Sequence, residues 1–132
     1  MYEIASEVND STSVLVVDDD RAIQDTLREI LQDEGYSVET AGNGVEALRV
    51  LRRIRPSLIV LDLNMPILSG DEFRVVQCLD PSLRDIPTVV LSAVDRLDAR
   101  VPGLGVEVCL AKPIKLGDLL AVVKRFCGPA GA

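Results

Sequence analysis

Three acids, Asp18, Asp19 and Asp20, stand directly behind the apolar run VLVV at 14–17, and Asp62 closes a second such run, LIVL at 58–61. Two like charges about 4 Å apart cost about 1 kcal/mol in bulk water and several times that near a protein surface. Something positive must sit among them. Ser92 follows the run TVVL, and Lys112 closes the segment VEVCLAK, so each also stands at or near the end of an apolar stretch. Asp18, Asp19 and Asp62 sum to −3, and a Mg2+ with Lys112 sums to +3. Hard oxygen ligands with open positions suit Mg2+, which typically takes one or two carboxylates and keeps several waters. Such a centre receives a phosphoryl group, whose oxygens need positive partners in the transition state. Ser92 can donate a hydrogen bond to the same oxygens. One of the carboxylates would then be the nucleophile, forming an acyl phosphate.

Other chemistries are excluded by what the chain lacks. Histidine is absent, which removes the commonest general base and metal ligand. Cys78, Cys109 and Cys127 are odd in number and form no CxxC pair, so neither a disulfide framework nor a zinc site is expected, and a reducing cytoplasm is the default compartment. The net charge of −7 repels a phosphate backbone and an anionic membrane, so this chain is not expected to bind nucleic acid directly. No apolar run approaches the roughly 18 residues of a membrane span, and the N-terminus carries no signal-like apolar core.

These residues need elements to position them. In a globular mix of 48% hydrophobic and 27% charged residues, 132 residues suffice for one domain. Strands are predicted over 14–17, 37–41, 58–61, 88–91 and 106–110, the second being the most polar and therefore nearest an edge. Ile23, Leu27, Ile30 and Leu31 mark the first helix, which Gly35 should end as a left-handed cap. Asn43 should cap the second, where Val45, Leu48 and Leu51 recur at three-residue steps until Pro56 ends it. A third helix is predicted near 71–79. A fourth falls within 93–105, shortened by Pro102 and two glycines. Leu116, Leu119, Leu120, Val123 and Cys127 stripe the fifth. Residues 1–12 read as a flexible leader, 13–127 as the domain, and 128–132 as a tail or the start of a linker.

Five alternations of strand and helix make a three-layer α/β domain with a parallel central sheet and right-handed crossovers. Parallel strands end on one rim, where ligands bind at the topological switch point. That rim should gather Asp18, Asp19, Asp62, Ser92 and Lys112 into one cleft. Asp20 reads instead as a helix N-cap.

The motifs VLVVDDD, LIVLDLNMP with Gly70 behind it, VVLSA and LAKP occur in an order and at a spacing that resemble the receiver domain of two-component response regulators. The resemblance covers roughly 13–127. It implies a flavodoxin-like doubly wound sheet in strand order 2-1-3-4-5 with five helices. It also implies that Asp62 is the phospho-acceptor, with Mg2+ held by the side chains of Asp19 and Asp62, the backbone carbonyl of Asn64, and Asp18 through water. Ser92 takes the position of the switch hydroxyl, and Lys112 pairs with the phosphoryl oxygens, aimed by a cis-prone bond to Pro113. The implied function is a phosphorylation-operated switch. It is fed by a sensor histidine kinase or phosphotransfer protein and catalyses only its own phosphorylation and dephosphorylation. A weak homodimer through the face from the fourth to the fifth helix is an implied association.

The chain departs from the family in the stretch from Ser92 to Lys112, which is slightly shorter than usual and contains Pro102, and at three single positions. Cys109 stands three residues before Lys112, where an aromatic usually swings inward on activation; Ile114 replaces a frequent Phe; and Val94, two past Ser92, is apolar where a polar residue helps orient water. Two other functions compete. Asp18 and Asp20 read D-x-D, as in a Mg2+-dependent haloacid-dehalogenase-type phosphatase, but Ala22 stands where Thr or Val is expected and there is no room for a substrate cap. A receiver-like interaction module that is never phosphorylated is the other, and the full acidic set with Ser92 and Lys112 argues against it.

Overall fold

The structure, a computed structural model, describes residues 13–63, 65, 67–93 and 108–128. Its elements are β1 (Ser13–Val17), α1 (Arg21–Asp33), β2 (Ser37–Ala41), α2 (Gly44–Leu51), β3 (Leu58–Asp62), α3 (Gly70–Leu79), β4 (Thr88–Ala93), β5 (Val108–Lys112) and α4 (Leu116–Cys127). The five strands form one parallel sheet in the order β2-β1-β3-β4-β5.

Successive side chains on a strand point to opposite faces, and the core divides accordingly. Val14, Val16, Leu58, Val60, Val89 and Leu91 pack with Leu27 and Leu31 of α1 and with Leu119 and Val123 of α4. Leu15, Val17, Ile59 and Leu61 pack with Ala47 and Val50 of α2 and with Phe73 of α3. The sheet is therefore covered on both faces, as continuous apolar strands require. Strand β2, the polar one, lies at the edge.

Local chemistry sets the element ends. Asp20 caps α1, accepting from the N–H groups of Ala22 and Ile23 at 2.9 and 3.3 Å. Gly35, at φ 97°, closes that helix: its N–H reaches the Gln32 carbonyl at 2.9 Å and the Tyr36 N–H reaches Leu31 at 3.0 Å. Asn43 caps α2 through the Glu46 N–H at 2.9 Å, and Ser69 with Glu72 forms a reciprocal capping box on α3.

The structure corrects several expectations. Strand β4 runs two residues further than predicted, so Ser92 lies within it. Strand β5 runs to Lys112, which makes the lysine its last residue. Leu116 stands exposed at the start of α4, because the inward face there is carried by Leu119, Val123 and Cys127. Four helices occur among the described residues. The stretch expected to hold the fourth of five lies, from Val94 onward, outside them, as do Asn64, the leader over 1–12 and residues 129–132.

Candidate functional site

The chain's second and third strands lie on opposite sides of β1, so the strand order reverses there and leaves a crevice at the C-terminal rim. Asp18 follows the last residue of β1, Asp62 is the last residue of β3, and Lys112 is the last of β5. Asp62 is paired in register with Leu91, so Ser92 sits one residue beyond it on the neighbouring strand. With Asp19 next to Asp18, five residues scattered over 95 positions of sequence, from 18 to 112, thus meet at one rim.

Asp18 and Asp62 are almost wholly buried, at 1% and 2% exposure, whereas Asp19 is exposed. One carboxylate oxygen from each of the three lies within 4.8 Å of the others. The Lys112 ammonium supplies the positive charge already present. Its Nζ donates to Asp62 Oδ1 at 3.2 Å and stands 3.9 Å from Asp18 Oδ2. The Lys112–Pro113 peptide is cis.

One lysine does not neutralise three carboxylates. Burial pushes the Asp18 carboxyl above the usual carboxylate range; the Asp20 N–H at 2.9 Å pulls it back, Asp62 pushes it up, Lys112 lowers it and Asp19 raises it. Two buried polar atoms at this rim, Asp18 Oδ2 and Ser92 Oγ, accept or donate no hydrogen bond among the described residues. Orphaned buried polar atoms are costly and call for an explanation. A hard divalent cation beside the carboxylates, and an oxygen-rich group beside the hydroxyl, are the partners that this donor and acceptor set fits. The carboxylates, hydroxyl and ammonium named from the sequence are therefore present at one rim. Asn64, whose carbonyl was expected on the metal, lies outside the described residues.

One residue that positions the site was missed. Gln24 of α1 lies off the apolar stripe, yet it is buried, and its side-chain amide donates to the carbonyls of Asp18 and, at 3.3 Å, Ala41. It thereby ties the ends of β1 and β2 behind the acidic cluster, helped by the Asp18 N–H to Ala41 carbonyl bond at 3.0 Å. Its place one residue off the apolar stripe was the available signal. Gly70, named above as part of a motif, positions the site as well. A Cβ there would lie 2.4 Å from the Asp62 carbonyl oxygen and 2.6 Å from Leu63 Cα, so only glycine lets α3 start this close to the end of β3. An apolar groove of ≈ 360 Å³, lined by Ile23, Leu27, Ile114 and Leu119 among others, adjoins Lys112.

Comparison with known proteins agrees with this geometry. The response regulator MprA of Mycobacterium leprae is 46% identical over 115 residues, which cover 86% of this chain and 50% of the relative. The chain thus spans about half the length of the curated relatives it matches. Among solved structures, the signal receiver domain of a signal transduction histidine kinase from Syntrophus aciditrophicus superposes with a TM-score of 0.83 at 32% identity, covering 91% of this chain and 92% of that one. The receiver domain of sensor histidine kinase PA1611 from Pseudomonas aeruginosa, described with a magnesium ion coordinated in its active site cleft, gives 0.81 at 26% identity over 89% and 98%. Residues 14–124 match the family described as the response regulator receiver domain, and the chain belongs to that family.

Proposed function

We propose that the chain is a phosphorylation-operated switch that accepts a phosphoryl group from a phosphohistidine of a sensor histidine kinase or phosphotransfer protein onto Asp62. The observation that carries this reading is the pairing of Asp62, buried at the end of β3, with the Lys112 ammonium at 3.2 Å inside a cluster of three carboxylates. In the transfer, an Asp62 carboxylate oxygen forms the new P–O bond while the P–N bond to the donor imidazole breaks and the imidazole leaves. Lys112 meets the negative charge on the phosphoryl oxygens, and the unpartnered Ser92 hydroxyl donates to one of them.

Asp19 and Asp62 would hold a Mg2+ through their side chains and Asn64 through its backbone carbonyl, with Asp18 acting through water. That ion, when bound, neutralises the acidic cluster and the incoming phosphoryl charge. The groove beside Lys112 offers a phosphodonor protein an apolar surface next to the acceptor. The chain's catalysis is confined to its own phosphorylation and dephosphorylation, in the cytoplasm, and self-association through the fourth-to-fifth-helix face would be weak. Cys109, half-buried in β5 and paired with Val90, replaces the aromatic readout with a small side chain.

Incubation with acetyl phosphate and Mg2+, followed by intact mass, tests the reading. The wild type should gain one phosphoryl mass and Asp62→Asn should gain none. Full labelling of Asp62→Asn, or no labelling of the wild type with Mg2+ present, would overturn it.

A further inference from the structure

Helix α2 runs out into a series of cations at the rim opposite the acidic cluster. Arg49, Arg52, Arg53 and Arg55 fall within residues 49–55 of a chain whose net charge is −7 and whose Lys and Arg total 14. All four are exposed. Arg53 reaches Glu39 at 3.5 Å and Arg55 donates to the Ser82 carbonyl, whereas Arg49 and Arg52 make no ion pair among the described residues. Exposed arginines alone are ordinary. Here Arg52 lines a groove, Arg55 reaches Ser82 of its lining, and Arg49 precedes Arg52 by three residues at the end of the same helix.

The groove, of ≈ 440 Å³, opens between α2 and the end of α3, walled by Leu48, Leu51, Val76 and Leu83 with Arg52 in its lining. Its one acid, Asp80, is occupied: Oδ1 accepts from the Ser82 N–H at 2.9 Å and from the Ser82 hydroxyl at 2.7 Å. Beside it, α3 exposes Val75 and Leu79 next to Val76, which extends the apolar strip along the helix. A volume of this size takes several aliphatic side chains, and an apolar trough between helices is the shape that receives one face of a further helix.

We propose that the α2–α3 groove is a docking site for an acidic amphipathic helix of a partner protein. Apolar side chains at i, i+3 or i+4, and i+7 would fill the trough, and carboxylates flanking that stripe would meet Arg49 and Arg52. Charge complementarity selects the partner's sign. The groove lies away from Asp62, so a bound helix leaves the phosphoryl-acceptor crevice open. Nucleic acid fits less well: its backbone has no apolar face to fill the trough, no aromatic side chain lines the groove for stacking, and the chain as a whole repels phosphates.

The test is an NMR titration of the isotopically labelled chain with a synthetic amphipathic helix of roughly 16 residues, carrying Leu on one face and Glu on its flanks. A Gln-for-Glu version and a DNA duplex are titrated in parallel. The Glu peptide should saturate with shifts confined to residues 48–52 and 75–83. The Gln peptide, and the Glu peptide against Arg49→Glu/Arg52→Glu, should each bind about tenfold or more weakly. Both arginines are exposed, so the double variant is expected to keep the wild-type fold and its labelling by acetyl phosphate. Absence of saturable shifts at millimolar Glu peptide overturns the proposal. So does equal binding of the Gln peptide, or shifts that map to the groove beside Lys112. Tight duplex binding that maps to the arginines would replace the partner helix with nucleic acid.

Discussion

Replacing Asp18 with asparagine is expected to stabilise the metal-free protein at neutral pH while weakening its hold on Mg2+. The carboxylate is 1% exposed, so desolvation opposes its charge before any neighbour acts. At an effective dielectric constant of about 20, attraction to the Lys112 ammonium at 3.9 Å is worth about 4 kcal/mol. The same relation gives about 3.5 kcal/mol of repulsion from a carboxylate oxygen at the 4.8 Å limit of the cluster. Buried Asp62 exerts that in full, whereas exposed Asp19 is screened toward the roughly 1 kcal/mol of bulk water. Attraction and repulsion nearly cancel, and desolvation decides the sign. The asparagine amide oxygen can still accept the Asp20 N–H, so the cap-side hydrogen bond survives. A net gain of about 1–2 kcal/mol follows, which for a domain of this size raises Tm by several degrees.

The assay is urea unfolding in a chelator, repeated across pH and then with Mg2+. Because the folded-state pKa of Asp18 is raised above 3.8, the stability attached to its neutral form is complete below 3.8 and is lost as pH rises through the folded value. The variant should therefore match the wild type in acid and exceed it above that window. Saturating Mg2+ should narrow or reverse the gap, since only the wild type retains the full ligand set. The reasoning fails if the variant is the less stable of the two in chelator at pH 7, or if its advantage grows on acidification.

Gly70→Ala should cost about 1–3 kcal/mol and slow phosphorylation by acetyl phosphate, because its Cβ must displace backbone at 2.4 and 2.6 Å; unchanged stability and labelling would contradict the close approach. Ile67 holds φ 67° in the left-handed region while 77% exposed, so Ile67→Asn should relieve strain and lose little packing, a gain of about 0.5–1 kcal/mol in the same urea assay. Asp20→Ala should lower stability by about 1 kcal/mol through the lost cap with little change in Mg2+ affinity, whereas Asp19→Ala should abolish millimolar Mg2+ binding; equal damage to Mg2+ binding by the two variants would show that Asp20 faces the metal.

Much of this molecule is legible in its sequence because local pattern reports burial. Continuous apolar runs such as LIVL predict strands covered on both faces, and the stripe of Leu27 and Leu31 predicts the buried side of α1. Asp20, Asn43 and Gly35 cap their helices as their types suggest, since capping needs only neighbours within a few residues. The identity of the site residues is local too, each marked by its place at or near the end of an apolar run. Strand order followed from the family resemblance and the shared rim from the alternation of strand and helix; what the sequence could not place are the distances and contacts set by the approach of separate elements. The distances among Asp18, Asp62 and Lys112 exist only because β1, β3 and β5 end on one rim. Gln24 breaks its helix's outward polar face because the ends of β1 and β2 leave two carbonyls beneath it. Gln77 of α3 is buried and accepts from Arg74 Nη1 of its own helix at 2.8 Å and from Thr88 Oγ1 at the start of β4 at 3.3 Å, the latter a contact that no periodicity encodes. The α2–α3 groove likewise belongs to neither helix alone. Local periodicity determines which face is buried; only tertiary packing determines what that face meets.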